Sequence, residues 1–282
     1  METLGAARRS ARPRLRRALA AAALWALGAA VAPAAWGQAA DDAESDWDFA
    51  ILPYVWLPAM TGDVTIKGHT ATIDTTISDL FTETDAVFAL AAEMEAWYRH
   101  KWGLAINGYW AVIQQDDNLE GTPFQFDLDI DQGLFEVLGF YNYGERPLGS
   151  SGTGTTWSIQ PLIGVRVTTI RGGFDFENFA SVDQAKTWAD PILGSRSIIR
   201  LGKDGRLQAI LRGDIGGFGL GSTFTWNVAG MFGYDFAIRS VDMTVLLGMR
   251  ALSQDFTDGS GSNRFKWDVI QYGPLLGLAF RF

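Results

Sequence analysis

The chain has 282 residues, a formal net charge of −9 and no cysteine. That length suits one large domain or one barrel of medium size, and the absent thiols exclude disulfides and thiolate metal centres. The acid excess repels a phosphate backbone, which makes nucleic acid a poor partner.

Residues 8–17 read RRSARPRLRR, with six arginines, and an Ala- and Leu-rich run follows from Ala18 to about Ala35. Small residues then stand at Gly37 and Ala39. This order predicts a secretory signal peptide over 1–39 with cleavage after Ala39. The competing reading is an uncleaved anchor, since the apolar run is near the minimum of roughly 17 residues for a spanning helix. An anchor has no need of the small-residue exit. Without the leader, the 23 basic residues lose six arginines and become 17, and the 32 acidic residues lose Glu2 and become 31, so the mature chain stands near −14. Residues 40–46 are expected as a short periplasmic N-terminus and 47–282 as the folded domain.

The remainder has no apolar stretch near the ~20 residues of a spanning helix, yet it is rich in Trp, Phe, Tyr and Gly. A soluble β-sandwich and a membrane β-barrel are the two options, and alternation decides between them. Phe224, Trp226, Val228, Phe232 and Tyr234 share one face, against Thr225, Asn227, Ala229, Met231 and Asp235. Val241, Met243, Val245, Leu247 and Met249 oppose Asp242, Thr244, Gly248 and Arg250. The last strand sets Ile270, Tyr272, Leu276, Leu278, Phe280 and Phe282 against Gln271, Gly273, Gly277, Ala279 and Arg281. A sandwich would expose long charged side chains on its second face. Small residues with isolated charges suit a confined lumen, with the apolar face turned to lipid.

Such segments fall at roughly 47–57, 86–98, 102–115, 122–143, 155–171, 186–201, 206–217, 222–237, 241–255 and 264–282. They predict an all-β, transmembrane, antiparallel up-and-down β-barrel of about ten strands, with eight or twelve as alternatives. An even number places both ends in the periplasm. Arg99–Lys101, Lys203–Gly205 and Arg239-Ser240 then read as tight inner turns, while 58–85, 172–185 and 256–263 read as outer loops. The stretch 144–154 breaks the pattern as a long flexible inner connection. Residues 63–67 and 70–77 are β-like and predict a hairpin standing above the membrane. Trp47, Tyr98, Trp102, Tyr141, Tyr143, Trp157, Phe280 and Phe282 form a candidate inner aromatic girdle, where amphipathic rings meet the headgroups. Outer-membrane lipid and lipopolysaccharide are the expected surroundings. The terminal strand ending at Phe282 is the expected signal to the barrel-assembly machinery.

The runs LRGDIGGFGLGSTFTWN (Leu211–Asn227), GPLLGLAFRF (Gly273–Phe282) and LPYVWLPAMTGDVTI (Leu52–Ile66) resemble a widespread group of proteobacterial outer-membrane barrel proteins. The resemblance extends over most of the mature chain. It implies the fold and the outer membrane of a Gram-negative bacterium, and carries no activity with it.

Alternation directs Glu93, Glu95, Asn107, Tyr109, Arg166, Asp190, Arg196, Arg200, Arg212, Asp214, Arg250, Gln271 and Arg281 into the lumen. Glu136 joins them if a bulge near Gln132-Gly133 resets the alternation of its strand. Acids on early strands would face arginines on later ones. They serve either as a structural plug of charge-assisted pairs or as the constriction of a narrow channel for small polar solutes.

Catalysis is not expected, though a rim hydrolase is weighed because omptin-type proteases share ten strands and a His–Asp pair. His69 and His100, the only histidines, both sit in turn-like contexts, and Asp116-Asp117 reads as a solvated loop. Asp127, Asp129 and Asp131 share a strand face, but neighbouring carboxylates there stand nearly 7 Å apart, too far for a compact calcium site. No metal site and no cofactor are expected. The remaining alternative is a surface adhesin acting through 58–85.

Overall fold

The computed structural model describes residues 45–78, 88–118, 125–149, 154–176 and 182–282. The signal-peptide expectation lies outside them, as does most of the 40–46 segment. Thirteen strands occur among the described residues: β1 (Trp47–Trp56), β2 (Ala59–Ile66), β3 (His69–Asp74), β4 (Phe88–Tyr98), β5 (Trp102–Asn118), β6 (Gln125–Tyr141), β7 (Arg146–Pro147), β8 (Thr156–Phe176), β9 (Val182–Leu201), β10 (Leu207–Gly216), β11 (Phe224–Ile238), β12 (Val241–Asp258) and β13 (Phe265–Arg281).

Ten of them close a barrel in the order β1-β4-β5-β6-β8-β9-β10-β11-β12-β13 and back to β1. Closure is antiparallel, with Ala50 opposite Arg281 and Tyr54 opposite Gly277. Phe49 and Phe282 exchange backbone hydrogen bonds of 3.1 and 2.9 Å. A closed sheet has no unpaired edge to satisfy in lipid, which is why strands can span a membrane this way. Each sequence segment corresponds to one barrel strand. The stretch after β6 is more ordered than a flexible connection, because β7 folds back on β8 with Arg146 opposite Trp157.

The barrel ends and the turns at 99–100, 202–205 and 239–240 lie at one end, the periplasmic end by the rule for even-stranded barrels. Arg99 and His100 both adopt left-handed backbone, φ 52° and 54°, which is uncommon for non-glycine residues. Two carboxylates hold that turn: Asp46 accepts from Arg99 at 2.9 and 3.0 Å, and Asp48 lies 2.8 Å from His100 Nδ1. The expected girdle sits at this end, with Trp47 beside Tyr98 and Trp102 beside Tyr141, ring centroids 5.1 and 4.7 Å apart.

Above it the outer face is apolar, carrying Met94, Leu104, Phe135, Ile163, Leu211, Phe232 and Leu247, all exposed. Such a belt around a polar interior makes the chain an outer-membrane β-barrel of the Gram-negative type.

The wall is uneven. β8 and β9 have 21 and 20 residues, while β10 has 10. β10 pairs with β9 only from Ile192 onward, so the first half of β9 rises beyond its neighbour. Much of the expected outer loop 172–185 is therefore strand.

On the tall strands the apolar phase inverts with height. In β6, Glu136 is buried between outward Phe135 and Val137, whereas nearer the outer end Ile130 is buried and Asp131 exposed. In β13, inward Gln271 gives way to inward Trp267 and Phe265, with Lys266 and Asp268 facing out. The strand leaves lipid there, so its outward face meets water and its inward face gains something to pack on. The pairing of β6 with β5 and β8 runs through Gln132 and Gly133 without interruption. The expected bulge is absent, and Glu136 faces inward by plain alternation.

What the inward face packs on is the β2–β3 hairpin. β2 continues β1 along the same edge of β13 without a change of register, interrupted only at Leu57-Pro58, where Leu57 N donates to Pro274 O at 3.0 Å. Gly273 opposite is obligatory, since a Cβ there would stand 1.8 Å from the Leu57 carbonyl oxygen. The hairpin does not join the barrel circuit, which rules out twelve barrel strands. It also does more than stand above the membrane. Met60, Val64, Ile66, Ala71 and Ile73 are buried against Ile130, Ile170, Trp188, Phe265 and Trp267. Each large side chain so buried contributes about 1.5–3 kcal/mol. Lys67 N donates to Gln184 Oε1 of β9 at 3.0 Å, so the hairpin tip reaches the far wall as a lid.

Candidate functional site

Beneath the lid the lumen is layered. The uppermost polar layer has no net charge: Gln271 Nε2 donates to Gln132 Oε1 at 2.7 Å and Gln254 Nε2 to Thr168 Oγ1 at 2.7 Å. Both links cross the barrel. At the same end the low β10–β11 turn is drawn inward by Asp190, which accepts from Ser222 N at 2.6 Å and Ser222 Oγ at 2.9 Å. Trp188 Nε1 also donates to Ser222 Oγ, at 2.9 Å, and its ring stacks on Phe256 with centroids 4.2 Å apart.

Below this lies a closed circuit of polar side chains. Tyr54 of β1 is bonded to Asn107 of β5, and Asn107 Nδ2 donates to Glu93 of β4 at 3.1 Å. Glu93 Oε2 stands 3.8 Å from Arg212 Nη1 on β10, and β4 and β10 are opposite one another in the strand order. Arg212 Nη2 donates to Glu136 Oε2 at 3.2 Å. Arg166 donates to Glu136 Oε1 and Asp214 Oδ1, each at 2.7 Å. Asp214 accepts from Asn227 at 2.9 Å, Asn227 accepts from Arg250 Nε at 2.9 Å, and Arg250 Nη1 donates back to Tyr54 at 3.3 Å.

Glu93, Glu136 and Asp214 balance Arg166, Arg212 and Arg250, so the circuit carries no net charge. The side chains of Arg166, Glu136 and Asp214 are 0% exposed. Charges taken this far from water persist only when paired and hydrogen-bonded. The donors of Arg166 are met on three strands, its third partner being Thr225 Oγ1 at 3.3 Å. Such over-determined geometry makes a rigid plate across the lumen, not a mobile fringe.

Towards the periplasm a cavity of about 920 Å³ opens beneath the plate. Arg196 crosses it to Glu95, forming a close ion pair, donates to Gln160 at 2.7 Å, and lies over the adjoining Phe140 and Trp97 rings, 4.5 and 5.7 Å from their centroids. Nearer the mouth, Asp235 gathers Arg200 at 3.1 Å, Gln208 at 2.9 Å and Arg281 at 3.0 Å.

The structure thus brings Glu93, Glu136, Arg166, Arg212, Asp214 and Arg250 into one network. It places Glu95 and Arg196 as a pair in the vestibule, and separates Asp190 as an anchor for the outer turn. Alternation alone missed Tyr54 and Asn227 as members of the circuit, and Trp97 and Phe140 as the rings beside Arg196. Their inward parity was the available signal. His69 opens β3 at the exposed hairpin tip, and His100 lies at the opposite end against Asp48. The side chains of Asp116, Asp117, Asp127 and Asp129 lie outside the described residues, and Asp131 faces outward and is exposed.

No protein-family model matches the chain, and no curated protein matches it in sequence. Among solved structures it is similar to the outer membrane protease OmpT from Escherichia coli, at 9% identity and a TM-score of 0.42 over 84% of this chain and 97% of that one. A major outer membrane protein from Thermus thermophilus gives 16% and 0.39 over 84% and 100%. Neisserial surface protein A gives 9% and 0.33 over 84% and 98%. Likenesses this loose carry nothing about role.

Proposed function

We propose that the protein is a sealed outer-membrane barrel whose role in its resting state is structural and non-enzymatic. The observation that carries this reading is the plate itself: Glu136, Arg166 and Asp214, fully buried, tie β6, β8 and β10 together across the lumen. The apolar lid above it is a second seal, since ions cross neither a dry apolar layer nor a filled polar one. Lipid and lipopolysaccharide are the partners proposed for the apolar belt and the tall outer wall. The barrel-assembly machinery is the partner proposed for β13 with Phe282. The test is planar-bilayer recording of the refolded mature chain from Ala40, after its heat-modifiable gel migration has established folding. Silence is the expected result. Stable, charge-selective openings from the unaltered protein would refute the sealed reading.

The vestibule favours a second reading, a narrow channel for small polar solutes gated by the plate. It extends from the periplasmic rim to Arg212 and Arg250, so half of the path is open. On that reading, neutralising either arginine produces or alters conductance.

A further inference from the structure

The lumen of a membrane barrel is ordinarily polar, because the apolar side chains face lipid. Just beneath the plate this lumen departs from that rule. Ile198 of β9 stands opposite Ile210 of β10, Ile210 opposite Met231 of β11, Met231 opposite Gly248 of β12, and Gly248 opposite Leu275 of β13. Each lies two residues from the inward row Arg196, Arg212, Ala229, Arg250 and Gly273, on its periplasmic side. Gly248 keeps the row flat, since a Cβ there would stand 2.7 Å from Met231 Cγ. Leu246 lies below it on β12, and Leu52 and Ala279 carry the aliphatic surface towards the mouth. Leu52 and Met231 pack at the edge of the Tyr54 and Leu275 cluster, but both remain part-exposed, as do Ile198 and Ile210. That exposure is to the cavity of about 920 Å³, which all four line, a volume within the range of small-molecule sites.

The charged groups around this cavity are already committed to one another. Arg196 is taken by Glu95 and Gln160, Glu93 by Asn107 and Arg212, and Arg200, Gln208 and Arg281 converge on Asp235. The aliphatic row is not satisfied in this way, and water held against it is unfavourable in proportion to its area. What relieves it is another apolar surface entering through the mouth. We propose that the vestibule holds a single acyl chain with an anionic head, the chain lying along the row from Ile198 to Leu275 and the head remaining at the mouth. The gain comes from drying the wall, because a chain leaving the membrane exchanges one apolar medium for another. The facing ion pairs leave no room for a second chain, which would strip them of water. Lys101, exposed at the mouth, selects the head: among the described residues it is the one lining lysine or arginine without a carboxylate partner. A fatty-acid carboxylate and a lysophospholipid phosphate share this chemistry. The site holds for a sealed barrel and for a gated one alike.

Photolabelling of the refolded mature protein in lipid nanodiscs tests the proposal. The probes are a fatty acid carrying a diazirine in mid-chain and, separately, a lysophosphatidylethanolamine with the same chain; labelled residues are located by peptide mass spectrometry. Strand parity supplies the control, because probe dissolved in the membrane reaches only the outward Leu211, Phe232 and Leu247, all exposed to lipid. With at least one probe, saturable labelling of the inward Ile210, Met231 or Leu246 is expected, displaced by excess of the same unlabelled amphiphile; the probe that succeeds identifies the source of the chain. Ala279→Trp fills the aliphatic surface and Met231→Gln wets it. Each is expected to lower inward labelling at least fivefold while the outward labels stay, and the second keeps the test decisive should the first fail to fold. Labels confined to outward residues with both probes would overturn the site. So would inward labels that unlabelled amphiphile does not displace, or that neither variant lowers. Conductance is read separately, so failure here leaves the sealed barrel standing and the reverse also holds.

Discussion

Replacing Arg166 by methionine removes the guanidinium that joins β6, β8 and β10. The side chain is 0% exposed, and its two carboxylate partners at 2.7 Å are equally buried. Without it, Arg212 is the one cation left at hydrogen-bond distance from Glu136 and Asp214, and the circuit carries one uncompensated negative charge. Breaking a buried pair from one side costs about 3–5 kcal/mol, or roughly two to four powers of ten in the folding equilibrium. Adding Glu136→Gln restores neutrality, and the double variant is expected to recover at least half of the loss, about 1.5–2.5 kcal/mol, so that the two substitutions are far from additive. Urea titration in lipid vesicles, followed by tryptophan emission and by heat-modifiable migration, measures all four corners of the cycle. A single-variant loss below about 1 kcal/mol, or strict additivity, would mean that water screens the circuit and that the plate is not dry.

Three further outcomes are expected. Gly273→Ala sets a methyl group 1.8 Å from the Leu57 carbonyl oxygen, so it costs about 1–3 kcal/mol or prevents closure, as a heat-modifiable gel will report. Leu211→Arg on the exposed lipid face costs about 2–4 kcal/mol near mid-membrane, whereas Thr72→Arg on the exposed side of the lid has little effect; equal effects would misplace the belt. Hydrogen bonds from Arg99 hold the Asp46 carboxyl below the usual carboxylate range. An acid lowered on folding adds stability above its unfolded value and loses it as the pH falls through the lowered one. Acidification should therefore loosen this turn only below the ordinary Asp range, and Arg99→Gln should move the Asp46 carbon NMR midpoint upward.

The barrel was legible in the sequence because lipid imposes one rule on all of its strands. Outward residues must be apolar, so Phe232 and Leu247 declare the phase and Arg250 follows from parity. Arg166 and Asp214 were reachable by the same step. The lid was not, because Met60, Ile66 and Ile73 belong to a stretch where the rule reverses. Outside the membrane an apolar residue points inward, and β6 and β13 carry both regimes in one uninterrupted strand. Read with a single rule, Ile130 contradicts Phe135 and Val137, and a bulge looks necessary; a boundary between two solvents resolves that conflict, while Leu134 packs inside the lumen against Tyr54 and Tyr109. Parity also carries no information on which inward groups meet. The separation of Asp190 from the circuit, and the aliphatic row from Ile198 to Leu275, depend on the stagger of strands around the barrel, a quantity that no single strand records.

The uneven wall gives the molecule a compass bearing in the plane of the membrane. A barrel of constant height offers every neighbour the same profile, and its rotational diffusion has no consequence for what it meets. Here a protein or sugar chain approaching β8–β9 encounters a tall face, while one approaching β10–β11 passes over a rim where Phe218 and Leu220 lie exposed. Encounters in the crowded outer leaflet are thus sorted by azimuth, and any lasting neighbour would hold the barrel at one heading.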